Sequence, residues 1–171
     1  MIVLLTGGSG CGKSTYAERI IALLPEEKRV YVATMQVYDE ESVRRVERHR
    51  TQRLGKSFVT IECEKDLMSA GVEDGSIVLL GDLVNLVANE MFDGGDVSRI
   101  TGALSDLAAR CKDLIMVTND VFSDGETYAE STQAFLRMLA EVNAHAAGIA
   151  DCVCEVVYSI PIALKGELPC V

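Results

Sequence analysis

Gly7-Gly8-Ser9-Gly10-Cys11-Gly12-Lys13-Ser14 is the stretch that decides the fold of this 171-residue chain. It reads G-x-x-x-x-G-K-S. Its glycines let the backbone fold tightly enough for successive N–H groups to point inward at phosphate oxygens. The loop opens a helix, whose N-terminus adds unpaired N–H groups and a partial positive charge. In this pattern Lys13 reaches the β- and γ-phosphates of a nucleotide, and the Ser14 hydroxyl ligates Mg²⁺. The flanks agree. Ile2-Val3-Leu4-Leu5 is the short apolar run of a buried parallel strand. Ala17, Ile20, Ile21 and Leu24 recur at i, i+3, i+4 and i+7, an amphipathic helix. A glycine-rich turn that matched by chance would not carry both flanks.

Working outward, the length fits one domain over residues 1–171, enough to bury a substantial core. A hydrophobic content of 49% excludes disorder. The net charge of −10 gives no general attraction to nucleic acid or anionic membrane, so a nucleotide has to be held by a local positive site. No apolar run reaches the length of a membrane span. The first residues pass straight into strand and loop and leave no room for a signal peptide, so a cytoplasmic location is expected. Of the six cysteines only Cys152 and Cys154 are close. They share one strand face, a weak zinc signal, and buried reduced thiols are the reading preferred.

Along the chain, strands are expected at 29–34, 58–63, 76–80, 114–118, 152–159 and 160–164, with Pro161 favouring an edge. Helices are expected at 39–53, 83–91, 97–111 and 135–146, and a loop at 122–127. Alternating strands and helices specify an α/β sheet, mainly parallel and covered on both faces. Ligands then sit outside the carboxyl ends of the strands.

The 39–53 segment holds a second constellation. Arg45, His49 and Arg53 are spaced i, i+4, i+8 and share one helix face. Two guanidiniums around an imidazole suit a polyphosphate. The competing reading is a solvated helix, with Glu40–Arg44 and Glu41–Arg45 as ordinary i, i+4 ion pairs. Its apolar face is little more than Val43 and Val46, so it is expected to lean on a ligand or another subunit. His145 gives no functional signal.

The run Tyr31-Val32-Ala33-Thr34-x-Gln36-x-x-Asp39-x-Glu41, followed by Arg45, His49 and Arg53, resembles the adenosylcobinamide kinase/adenosylcobinamide-phosphate guanylyltransferase family. Glu62, the segment Val117-Thr118-Asn119-Asp120, and Phe135 with Asn143 extend the likeness over nearly the whole chain. The resemblance implies a P-loop NTPase, RecA-like fold and a homotrimer. It implies phosphorylation of adenosylcobinamide, then transfer of GMP from GTP through a guanylylated histidine at the position of His49. It implies Mg²⁺ as cofactor, with ATP and GTP as substrates and nucleotides and corrinoids as partners. Lys13 and His49 would be catalytic. Gly7 to Ser14 (with Ser9, Gly10, Cys11 and Gly12), Thr34, Arg45, Arg53 and Glu62 would bind nucleotide, and Ser14 and Asp82 would hold the metal. Arg45 and Arg53 would neutralise the departing pyrophosphate.

The departures lie further along. The family's acid directly after the third strand is replaced by Gly81, and the acid follows at Asp82. On an unbroken strand that shift turns the side chain to the opposite face. Phe58 stands where Trp is usual, Asp120 replaces Glu, and the Asn119–Gly125 loop has lost its first glycine. Two other readings therefore stay open: a P-loop kinase or nucleotidyltransferase for another small molecule, and a nucleotide-sensing module without chemistry.

Overall fold

The computed structural model describes residues 1–25, 28–37, 40, 43–44, 47, 51, 58–121 and 128–169. Seven strands form one sheet in the order β3-β2-β4-β5-β1-β6-β7. They are β1 (Ile2–Thr6), β2 (Arg29–Ala33), β3 (Phe58–Glu62), β4 (Ile77–Asp82), β5 (Asp113–Val117), β6 (Cys152–Val157) and β7 (Ile160–Lys165). Every pairing is parallel except β6–β7, a hairpin that ends the sheet. Pro161 lies in that edge strand, where its missing N–H interrupts no inner ladder. The helices are α1 (Lys13–Leu23), α2 (Leu83–Phe92), α3 (Ile100–Arg110) and α4 (Glu130–Ile149). Short 3-10 turns at Leu67–Ala70 and Val97–Arg99 complete the connections.

The inner strands read as unbroken apolar runs because both of their faces are covered. On one face Leu4, Val78, Leu80, Leu114 and Met116 pack under α2, α3 and α4 through Leu86, Leu104, Leu107, Leu139 and Val142. On the other face Val3, Leu5, Ile77, Leu79 and Ile115 pack against Tyr16, Ala17, Ile20 and Ile21 of α1. This is the RecA-like, mainly parallel P-loop NTPase fold, with β5 lying between the loop strand β1 and β4.

In the 39–53 segment, Glu40, Val43, Arg44, Glu47 and Thr51 are helical and exposed. The expected Glu40–Arg44 pair is present at 3.2 Å on the surface, where it contributes a few tenths of a kcal/mol. Arg45, His49 and Arg53 lie outside the described residues, as do Asp39, Glu41, Val46 and the 122–127 loop. The described cysteines are all free, with Cys63, Cys152 and Cys154 buried. Burial pushes their thiols up, and takes that of half-buried Cys111 to about 11, so all four are protonated at neutral pH.

One irregularity corrects the strand alternation expected at Asp82. The β4–β5 register runs Leu79↔Ile115, Leu80↔Met116, then Asp82↔Val117. Gly81 is an extra residue, a β-bulge. The bulge absorbs the one-residue shift. It sets Asp82 opposite Val117, which belongs to the α1 side of the sheet. A side chain at Gly81 would crowd Val32 O at 3.0 Å and the Tyr31 hydroxyl at 3.2 Å.

The phosphate loop itself leans on β6. Gly7 sits at φ +134°, a conformation L-residues rarely adopt, and a Cβ there would collide with the Val156 carbonyl oxygen. Gly7→Ala is expected to destabilise the protein by roughly 1–3 kcal/mol, through strain at that positive φ. A thermal melt showing an unchanged Tm would contradict this account of the loop.

Candidate active site

A cleft of about 310 Å³ opens at the carboxyl ends of β1, β2, β4 and β5. Ser9, Gly10, Cys11, Gly12, Lys13, Ser14 and Thr15 form one wall. Tyr31, Thr34, Met35, Gly81, Asp82, Asn85 and Asn119 contribute to the rest. Gly12 is the N-cap of α1, without a side-chain cap and with no acidic residue in the first turn. The first N–H groups of α1 are thus offered to an anion in the cleft.

Lys13 is 6% exposed. Its ammonium donates to Gly7 O at 2.8 Å, Gly8 O at 2.7 Å and Asn119 Oδ1 at 2.6 Å. An ammonium has three protons, and all three are used. Asn119 follows β5 and donates its Nδ2 to Asp82 Oδ2 at 2.6 Å. A lysine donor on one side and a carboxylate on the other allow only one orientation of that amide. The other carboxylate oxygen of Asp82 accepts from Val84 N at 2.9 Å and caps α2. A continuous hydrogen-bonded line therefore runs from the phosphate loop through Asn119 to Asp82 and the start of α2.

Thr34 supports that line from β2. Its hydroxyl donates to Asp82 O at 2.9 Å, and its own carbonyl accepts from Asn89 Nδ2 at 2.8 Å. The bulge is thereby fixed from two sides.

The structure thus brings Gly7 to Ser14, Thr34 and Asp82 to one place. Glu62 is elsewhere, at the end of outer strand β3, beside a small hollow lined by Cys63, Lys65 and Ser69. The second histidine, His145, bonds Ser105 Oγ at 2.8 Å on the surface of α4. Asn119 was missing from the residues expected at the site, although its place after an inner strand is where a doubly wound fold gathers ligand contacts. Glu18 was also missed. It is buried, lines the cleft and lies one turn after Ser14 on α1.

Mg²⁺ takes oxygen ligands, usually one or two carboxylates beside substrate phosphates. The Ser14 hydroxyl and the Asp82 carboxylate are such donors in the same cleft. The two Asp82 oxygens also accept from Val84 N and from Asn119 Nδ2, which fixes the carboxylate in the cleft. Among the described residues, no cluster of three His, Cys, Asp or Glu could hold a metal alone. The donor set fits a cation shared with phosphates.

A solved structure from Pyrococcus horikoshii OT3 shares the fold at a TM-score of 0.52, over 98% of this chain and 87% of that one, at 8% identity. The family described as cobinamide kinase / cobinamide phosphate guanyltransferase matches residues 3–164. This chain belongs to that family. Membership places it among the transferases of cobalamin biosynthesis. The bifunctional adenosylcobalamin biosynthesis protein CobU of Escherichia coli (strain K12) is 29% identical, over 96% of this chain and 100% of its own length. Its namesake from Salmonella typhimurium (strain LT2) matches with the same identity and coverage. Among the described residues, no helix is long and apolar enough to cross a membrane.

Asn119 joins Lys13 to Asp82 and can be tested as a positioning residue. Asn119→Ala removes one hydrogen-bond partner from each of Lys13 and Asp82. It is expected to lower kcat for nucleotide turnover about 10- to 100-fold, as loss of a supporting hydrogen bond does elsewhere. Steady-state kinetics at saturating nucleotide check it. An unchanged kcat would reduce the Lys13–Asn119–Asp82 line to scaffolding.

Proposed function

We propose that this chain phosphorylates adenosylcobinamide and then transfers GMP to the phosphate it has made, giving adenosylcobinamide-GDP. The observation that carries the first step is the convergence of Lys13, Ser14, Asn119 and Asp82 on one cleft at the α1 N-terminus. The aminopropanol hydroxyl oxygen forms a bond to the γ-phosphorus of ATP or GTP as the β–γ bridging bond breaks. Little covalent chemistry falls to the protein in such a transfer, so holding the phosphates and balancing charge dominate. The loop N–H groups hold the phosphates. Lys13 shifts from a loop or Asn119 acceptor to a phosphate oxygen, exchanging one charge-assisted bond for another.

Charge balance supports Mg²⁺ as the companion of the nucleotide. Among the described residues, the ionisable lining of the cleft is Lys13 against Glu18 and Asp82, with Cys11 and Tyr31 as its other titratable members. One lysine and a helix N-terminus do not offset a triphosphate. Ser14 and Asp82 would hold Mg²⁺, which would supply positive charge against the charge of the nucleotide phosphates.

For the second step, an imidazole nitrogen of His49 attacks the α-phosphorus of GTP and pyrophosphate leaves. The cobinamide phosphate then attacks the guanylylated histidine and frees it. A neutral imidazole is nucleophilic near its usual pKa of about 6.5. The intermediate divides a difficult transfer into two easier ones. Arg45 and Arg53, four residues either side in the sequence, neutralise the pyrophosphate, and Glu62 belongs with this guanylyl group of residues. The family resemblance and the spacing support these roles. We assign the chain to a homo-oligomer, a trimer by resemblance, with the 39–53 helix at a subunit boundary, acting in the cytoplasm.

Two variants separate the steps. Lys13→Ala is expected to abolish phosphorylation of cobinamide, with a stability loss of roughly 1–3 kcal/mol for the unpaired loop carbonyls. His49→Ala should retain phosphorylation and lose GMP transfer. With α-labelled GTP, Mg²⁺ and no acceptor, the label is expected on His49, in an acid-labile and base-stable bond. Label mapped to any other residue, or transfer that survives His49→Ala, would falsify the histidine route.

A further inference from the structure

The turn between β6 and β7 is Tyr158-Ser159, since the ladder closes at Val157↔Ile160. Both residues have positive φ, +49° and +65°. A two-residue turn of this hand favours Asn-Gly or Asp-Gly, because a side chain is strained there. Turn chemistry does not account for a tyrosine. Packing does not either, since Tyr158 is 90% exposed. Among the described aromatic residues it is the most exposed. Phe92, also exposed, pairs with Phe135 at a ring-centroid distance of 6.0 Å.

The turn is fastened to the phosphate loop. Ser159 N donates to Cys11 O at 2.8 Å. Gly12 makes room for it, since a Cβ there would lie 2.6 Å from Ser159 Oγ. The far end of β7 is anchored too, where Lys165 Nζ donates to Ala147 O at 2.9 Å and Gly148 O at 3.0 Å at the end of α4. The hairpin tip is a rigid part of the loop's surroundings. A strained, exposed residue held in place by its neighbours points to function.

Direction supplies the rest. Strand β1 has β5 on one side and β6 on the other. Asn119 and Asp82 lie on the β5 and β4 side, so the terminal phosphate of a bound nucleotide lies there. The sugar and base must then leave the loop on the β6 side, where Tyr158 stands.

We propose that Tyr158 is the platform on which the base of the bound nucleoside triphosphate stacks. The proposal rests on the nucleotide reading of the cleft given above. Stacking uses the π-face that every base presents. The platform therefore strengthens binding of ATP and GTP alike and does not choose between them.

The test is calorimetric binding of ATP, GTP and inorganic tripolyphosphate to the full chain, as wild type, Tyr158→Phe, Tyr158→Ala and Tyr158→Asn. Tyr158→Ala and Tyr158→Asn are expected to weaken ATP and GTP on the order of tenfold, the scale of one lost stack, and to leave tripolyphosphate unchanged. Tyr158→Phe should bind like wild type. Tyr158→Asn, better suited to positive φ, should raise Tm, which separates lost stacking from lost folding. Unchanged ATP affinity in Tyr158→Ala would overturn the platform and leave the phosphate loop standing. So would an equal loss of tripolyphosphate, which would make the residue a prop of the loop. Failure of wild type to bind either ATP or tripolyphosphate would overturn the nucleotide reading and the platform with it.

Discussion

The ammonium of Lys13 holds the site together before any ligand arrives. A loop that turns its N–H groups toward a phosphate turns carbonyls elsewhere, and buried carbonyls need donors. Lys13 supplies them to Gly7 and Gly8. Gly7 O is shared further, accepting from Asp120 N at 3.2 Å, which ties the loop to the end of β5. Of the three oxygen acceptors on Lys13, which also lies 3.8 Å from Cys11 Sγ, two belong to the backbone of a loop already restrained by Val156 and Ser159. The third, Asn119 Oδ1, is on a side chain that can turn. A phosphate that draws Lys13 away therefore acts most directly on Asn119, and through Asn119 on the orientation of Asp82.

That coupling depends on the sheet order. With β5 between β1 and β4, the acid at the end of β4 is one strand removed from the strand that carries the loop. A residue at the end of β5 has to span the gap, and an amide does so by accepting from the cation and donating to the carboxylate. The bulge at Gly81 belongs to the same requirement. Without it Asp82 would face α2 and α3, in an apolar layer where an unpaired carboxylate is costly. With it Asp82 reaches the cleft and still caps α2.

The sequence made the framework legible because its signals were strong and redundant. Unbroken runs such as 77–80 and 114–117 can be satisfied only by strands covered on both faces, and Leu83, Leu86 and Val87 have the period of a helix packed on one of them. The loop motif then fixed which strand ends face the ligand. Strand alternation misled at Asp82, because a bulge depends on what the neighbouring strand offers. Here a side chain at Gly81 would crowd Val32 O and the Tyr31 hydroxyl. Asn119 was hidden for a related reason: its role comes from two partners far along the chain, Lys13 and Asp82. Tyr158 conflicts with its local turn preference, and sites where local and global preferences disagree are where function is expected.

The 39–53 segment was read from a resemblance and from helical spacing, and its physics explains why packing says little about it. The described part of that helix turns Glu40, Val43, Arg44 and Glu47 to solvent. Among the described residues its bonds are local, Arg44 to Glu40 and Thr51 Oγ1 to Glu47 O at 2.9 Å. Contacts four residues apart stabilise a helix without specifying what it lies against. The described residues that line the cleft, by contrast, come from outside that segment. Phosphate loop, Asn119 and Asp82 meet at one cleft on the sheet. The proposed guanylyl chemistry rests instead on the 39–53 segment, whose sequence has an apolar requirement small enough to be met by a ligand or a neighbouring subunit.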